Sequence, residues 1–182
     1  METPLDSKAI IGLADETCQH INVNSSRLWF IRKTRVKKNT SKGEKVNSLG
    51  FYALNGESVY LDTDSHKQDD VVSFLYKIRR ENPDGDIVLV WDNARVHWSR
   101  KVRITAEQLG IRLVYLPPYS PDLNPIEFIW KSIKREISVL CLKCKEELKK
   151  VVEELFYSFS SSLSFAKKWI EEFLKPLQIS VG

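Results

Sequence analysis

Five consecutive apolar residues, Ile87-Val88-Leu89-Val90-Trp91, run without a break between Asn82-Pro83-Asp84-Gly85 and Asp92-Asn93. A strand with one wet face alternates polar and apolar residues, so an uninterrupted run of this length marks a strand covered on both faces, as at the centre of a parallel sheet. The flanking segments agree. Gln68 to Glu81 places Val71, Val72, Phe74, Leu75 and Ile78 on one side of a helix, which Asn82-Pro83-Asp84-Gly85 ends. A helix from about Ser99 to Leu109, closed by Gly110, leads into the strand-like Ile111 to Leu116. Strand, helix and strand in this order form a parallel crossover.

Upstream, the apolar segment Ala9 to Ala14 reads as a buried strand that ends in a turn at Asp15-Glu16. Leu28 to Ile31 is a candidate minor strand. Val46 to Leu54 and Ser58 to Asp62 flank Asn55-Gly56-Glu57, a hairpin signal because Asn and Gly both tolerate positive φ. These strands give three consecutive antiparallel members, so the expected fold class is α/β, a mixed five-stranded sheet flanked by helices. Downstream, Asn124 is a candidate N-cap, with Pro125 at the first helical position and Glu127 at the third. Ile126, Ile129, Trp130, Ile133, Ile137 and Leu140 form the apolar stripe of that helix, leaving Glu127, Lys131, Lys134 and Arg135 on its polar side. Two more amphipathic helices, about Lys145 to Ser158 and Phe165 to Leu174, complete one domain over 1–182.

No apolar run reaches the roughly 18 residues of a membrane span, and Met1 to Lys8 lacks the pattern of a signal peptide. Three cysteines, Cys18, Cys141 and Cys144, are an odd number that fits a reducing compartment. Cys141 and Cys144 form a C-x-x-C, but nothing in the sequence completes a tetrahedral zinc site, so they read as free thiols at a helix end. The expectation is an intracellular protein without a membrane partner. Charge is concentrated: Arg32, Lys33, Arg35, Lys37, Lys38, Lys42 and Lys45 face only Glu44, a local net charge of +6 in a chain of +4. Such a segment suits a loop that meets phosphates, and equally a solvated loop.

Three acids gain meaning from this topology. Asp15 closes the first strand, Asp92 closes the central one, and Glu127 opens the helix after the last. Ligands of open sheets bind beyond the carboxyl ends of parallel strands, so adjacency of the first and fourth strands would bring these acids together. Clustered carboxylates repel unless a cation neutralises them, and hard oxygen donors select Mg²⁺ or Mn²⁺. Two such ions serve in-line phosphoryl transfer. Singly, each acid has a plainer account: Asp15 and Asp92-Asn93 as turns, Glu127 as half of a capping box with Asn124.

The segment Val90-Trp91-Asp92-Asn93-Ala94-Arg95-Val96-His97, then Leu116-Pro117-Pro118-Tyr119-Ser120-Pro121-Asp122-Leu123-Asn124-Pro125-Ile126-Glu127 and Trp130, resembles the DDE transposases of the mariner and insertion-sequence-630 superfamily. Thirty-four residues separate Asp92 from Glu127, as in the D,D-34-E pattern of that group. The resemblance implies an RNase H-like fold and catalytic, metal-binding roles for Asp15, Asp92 and Glu127. Glu16 and Asp6 are the neighbouring acids that compete for the first place. It further implies two Mg²⁺ or Mn²⁺ ions per site, cut-and-paste DNA transposition, and DNA as partner, both element ends and target. His97 and Asn93 also match family positions. His97 is a candidate for a phosphate or a water, and Arg35, Lys37, Lys38, Arg95, Lys131, Lys134 and Arg135 are candidates for DNA phosphates.

Relatives act as symmetric dimers, which implies a homodimer. They also carry an N-terminal helix-turn-helix DNA-binding domain, absent here, so a fragment, a separate reading-frame product or a remnant is implied, with the DNA-binding part supplied separately. The implied location is cytoplasmic and nucleoid-associated, or nuclear in a eukaryotic host. Two other readings stay open: an RNase H-like nuclease outside transposition, and an inactive DNA-binding remnant.

Overall fold

A computed structural model of the chain describes residues 9–21, 44–65, 67–118, 120–140 and 142–175. The candidate strand at Leu28 to Ile31 and most of the basic segment, including Arg35, Lys37 and Lys38, lie outside the described residues, as does Cys141. Among them, five strands form one sheet: β1 (Ile10–His20), β2 (Lys45–Ala53), β3 (Val59–Thr63), β4 (Ile87–Trp91) and β5 (Ile111–Tyr115). Their order is β3-β2-β1-β4-β5, antiparallel from β3 to β1 and parallel from β1 to β5. The mixed five-stranded sheet expected from the sequence is the one observed.

Helices cover both faces. On one side α1 (Gln68–Glu81) and α2 (Arg100–Gln108) bury Phe74, Leu75, Ile78, Val102 and Ala106 against Ala14, Leu89 and Trp91. On the other, α3 (Ile126–Val139) and α4 (Lys145–Ser160) bury Ile129, Trp130, Ile133 and Phe156 against Ile11, Leu13, Val88 and Val90. All five β4 residues are buried, which is why that strand reads as continuously apolar. Trp91 and Trp130 are core residues. The chain ends its described part in a short α5 (Lys167–Trp169) that widens into a π-helical turn, Ile170–Leu174.

Three local expectations change. First, β1 does not stop at Asp15 but runs on to His20, paired with β2 as far as His20↔Lys45. Its polar second half stays in the sheet through that pairing, and Gln19 Nε2 donates to Thr17 Oγ1 at 3.1 Å within it. Second, the Asn55-Gly56 hairpin forms without a positive φ at Gly56; among the described glycines only Gly85 and Gly110 have one. Asn55 instead bridges to the start of β1, its Oδ1 accepting from Ile11 N at 2.8 Å and its Nδ2 donating to the carbonyl of Ala9, just before the strand, at 2.9 Å. Gly56 is required by close approach, since a Cβ there would sit 2.7 Å from Asn82 Oδ1. Third, the Asn124 side chain does not cap α3. Pro125 already has helical dihedrals (φ −55°, ψ −27°), but Glu127 N bonds the Asn124 carbonyl at 3.1 Å, and the amide donates to Ala14 O at 3.0 Å. Gly110 (φ +63°) ends α2 as its sequence position implies.

Candidate active site

Register brings the first two acids together. β1 pairs with β4 from Ile10↔Ile87 to Leu13↔Val90, and two further steps along the same register reach Asp15 and Asp92. Alternation decides which face they use. Ile11 and Leu13 face α3 and α4, so Asp15 does too; Val88 and Val90 do likewise, so Asp92 leaves β4 towards the same side. Glu127 lies in the first turn of α3, which packs on that face. Asp15, Asp92 and Glu127 therefore line one cleft of about 400 Å³, together with Asn93, Asn124, Pro117 and Pro118. The Pro-rich segment after β5 forms its wall, entered by a bond from Leu116 N to Trp91 O at 2.7 Å.

The three acids differ in environment. Asp15 is only 9% exposed. Burial, with the charge of Glu127 next and Asp92 behind it, pushes its carboxyl up to about 8, against the smaller pull of the Glu16 backbone N–H. Asp92 is half exposed, and the push of its partial burial is outweighed by His97 and by the N–H of Ala94, which hold it below the usual carboxylate range. His97 itself is 1% exposed. Burial alone would lower the imidazole, but bonds to Asp92 and Glu16 raise it to about 9. Its Nδ1 lies 2.8 Å from Asp92 Oδ1 and its Nε2 lies 3.0 Å from Glu16 Oε1. Trp91 packs on the ring at a centroid distance of 3.9 Å, and Tyr115 Oη donates to the His97 carbonyl at 2.9 Å.

No set of three or more His, Cys, Asp or Glu side chains among the described residues is already gathered around one point as metal ligands. The donor chemistry nonetheless fits a hard divalent cation. The cleft acids are all oxygen donors, Asp15 is held at about 8 for want of positive charge, and the buried Asn124 Oδ1 has no hydrogen-bond partner among the described residues.

The remaining candidates are distributed more widely. His97 is enclosed, with both ring nitrogens engaged by carboxylates, so neither is offered to a phosphate. Arg95 is exposed in a 3₁₀ turn (Arg95–Trp98) that leads from the cleft into α2. Lys131, Lys134 and Arg135 are exposed on the outer side of α3, Lys131 lying 5.0 Å over the Phe128 ring. Sequence reasoning took Glu16 only as a rival to Asp15 and Asn124 only as a cap. Strand alternation, which sends 15 and 16 to opposite faces, was the available signal for the first; the bond from Asn124 to Ala14 spans 110 residues and left none.

The order of the sheet, the two helical layers and the position of the cleft define an RNase H-like fold. The profile of the DDE superfamily endonucleases matches residues 11–149, and the chain belongs to that family. It is 34% identical over 76 residues to the uncharacterized protein y4pE/y4sA of Sinorhizobium fredii (strain NBRC 101917 / NGR234), covering 41% of this chain and 50% of that protein. Among solved structures it is similar to the Mos1 strand transfer complex, with a TM-score of 0.67 at 18% identity over 94% of this chain and 53% of that one. It is also similar to the Mos1 mariner paired end complex with Mn, at 0.64 and 20% identity over 92% and 53%. The Mos1 transposase catalytic domain with Raltegravir and Mn gives 0.62 and 19% identity over 92% and 79%. The chain thus spans about half the length of the curated relative and of the two Mos1 complexes.

Proposed function

We propose that this chain is the catalytic part of a cut-and-paste DNA transposase, with Asp15, Asp92 and Glu127 as the catalytic carboxylates. The observation that carries the reading is their convergence on one cleft, with Asp15 buried and pushed up to about 8 by that burial and by Glu127 and Asp92. Family membership and the likeness of fold to Mos1 complexes support it. The three carboxylates would hold Mg²⁺ or Mn²⁺, two ions per site, with Asn124 Oδ1 beside them. When bound, such ions acidify an attacking water or 3′-hydroxyl and neutralise the leaving oxygen.

The chain's own residues do the rest. The Pro117-Pro118 wall and the sheet edge confine the scissile phosphate, while His97 holds Asp92 in place. Arg95, Lys131, Lys134 and Arg135, with Arg35, Lys37 and Lys38 of the basic segment, take neighbouring phosphates. Hydrolysis at an element end frees a 3′-hydroxyl, which then attacks a target phosphodiester, forming a new P–O bond as the bond to the target's own 3′-oxygen breaks and that oxygen leaves as a hydroxyl; no protein nucleophile takes part. A homodimer, and a DNA-binding domain supplied by a separate segment or product, belong to the same proposal, as does a location with the chromosome. No helix among the described residues is long and apolar enough to cross a membrane.

The test is nicking of supercoiled DNA in Mn²⁺ or Mg²⁺, followed by a strand-transfer assay with a free 3′-hydroxyl end. Cleavage and joining are expected, and Asp92→Asn and Glu127→Gln abolish both while circular dichroism stays unchanged. Unaltered nicking by either variant refutes the site. Cleavage without joining marks a nuclease outside transposition, and binding without cleavage marks an inactive remnant.

A further inference from the structure

Glu16 and Asp15 are neighbours on β1, yet alternation sends Glu16 away from the cleft, to the face covered by α1 and α2. There its Oε1 meets His97 Nε2 at 3.0 Å, across 81 residues of sequence. The opposite ring nitrogen, Nδ1, lies 2.8 Å from Asp92 Oδ1 and 3.3 Å from the Asp92 carbonyl oxygen. Ala94 N donates to the same Oδ1 at 3.2 Å. Asp92 Oδ2 has no partner among the described residues, and the residue lines the cleft. An imidazole with one nitrogen on each of two carboxylates is held as a strut between them.

From this geometry we infer that Glu16 is a positioning residue, acting through His97 to fix the Asp92 carboxylate by its Oδ1 and reserve Oδ2 for the cleft. The inference rests on the reading of Asp92 as a catalytic carboxylate. Asp92 needs such a brace because it lies one residue past the end of β4 with its side chain 52% exposed. An exposed carboxylate left to itself would have to be ordered when a cation or phosphate arrives, and prior ordering removes that cost. His97 cannot supply it alone. Its ring is 1% exposed, so loss of Glu16 would leave Nε2–H buried without an acceptor. The ring would then lose its anchor on the β1 side, leaving Oδ1 held by the Ala94 N–H alone. A glutamine at this position keeps an acceptor oxygen within reach of Nε2.

Glu16→Ala and Glu16→Gln in the full chain separate positioning from other roles through three readouts. These are the ring N–H proton signals of His97 in the metal-free protein, Mn²⁺ binding by electron paramagnetic resonance, and kcat with KM for DNA cleavage. Glu16→Ala is expected to lose the slowly exchanging His97 signals, to weaken Mn²⁺ binding and lower kcat by roughly 10–100-fold, and to leave KM for DNA within about 2-fold. Glu16→Gln is expected to keep the signals and to return both quantities to within about 3-fold of the parent. Unchanged Mn²⁺ affinity and kcat in Glu16→Ala overturn the inference. Equal impairment in both variants also overturns it, by making Glu16 a required charge rather than an anchor. Should the alanine variant fail to fold, loss of the ring signals in Glu16→Gln is decisive against it. A parent chain that neither binds Mn²⁺ nor cuts DNA overturns the carboxylate-site reading beneath, and is recognised before any change at Glu16.

Discussion

Removing the charge of Asp15 will stabilise the metal-free protein and, on the proposed function, abolish DNA cleavage. The carboxyl moves from an ordinary 3.8 in the unfolded chain to about 8 in the fold, through burial first and the charges of Glu127 and Asp92 after it. Folding therefore takes up a proton anywhere between those values, and stability contributed by this group falls as pH rises from 3.8 towards 8. At pH 7 the uptake spans about 3.2 pH units above 3.8, which at roughly 1.36 kcal/mol each costs about 4 kcal/mol. The Asp15→Asn variant bears no such cost, though burying its new amide offsets about 1 kcal/mol of the gain. The net of roughly 3 kcal/mol corresponds to a rise in Tm of about 6–12 °C for a chain of this size. Melting followed by circular dichroism in chelator at pH 7 measures it. Near pH 4, where folding requires almost no proton, the advantage should vanish. Mn²⁺ at pH 7 should raise the parent's Tm and leave the variant's unchanged. A variant no more stable than the parent at pH 7, or equally advantaged at both pH values, would show that Asp15 is not held short of its charge.

The pH dependence has a second contributor: His97, raised to about 9 by Asp92 and Glu16 against the effect of burial, supplies stability that is complete below 6.5 and disappears as pH climbs through 9. Both groups act in the same direction, so the metal-free Tm should fall steadily from pH 5 to pH 9, and a flat profile contradicts both. A Cβ at Gly50 would stand 2.5 Å from Trp130 Cζ2, so Gly50→Ala should cost about 1–3 kcal/mol by denaturant titration and also slow cleavage, because Trp130 rides one turn after Glu127 on α3. Asn55→Ala removes both bridges to the start of β1 and should cost about 1–3 kcal/mol, read from the same titration. Lys131→Ala and Arg135→Ala should each weaken DNA binding and lower the slope of log affinity against log salt by about 1, whatever the sequence of the duplex; an unchanged slope removes that residue from the interface.

Where one short window held the whole determinant, the fold was legible from residues alone. The apolar run of β4 needed cover on both faces and has it; the α1 pattern buries Val71, Phe74, Leu75 and Ile78; and Gly110 takes the left-handed conformation that stops α2. The cleft could be anticipated because strand ends and alternation are periodic properties. What escaped depended on partners far along the chain. Polar Thr17 and Gln19 looked like the end of a strand, since nothing local reveals that β2 runs beside them. The Asn124 amide looked like a cap because its true acceptor, Ala14 O, comes from the first strand. Glu16 looked like a spare acid for the same reason, its imidazole partner being contributed by the segment after β4.

Across the sheet the strands lie as β3-β2-β1-β4-β5, but along the chain all five come before the proline wall and Glu127 on α3. On the proposed chemistry, a growing chain at the ribosome possesses two acids and an open rim long before it owns the third. On that same proposal, the full set of three acids exists only once synthesis has passed the last strand and α3 has docked.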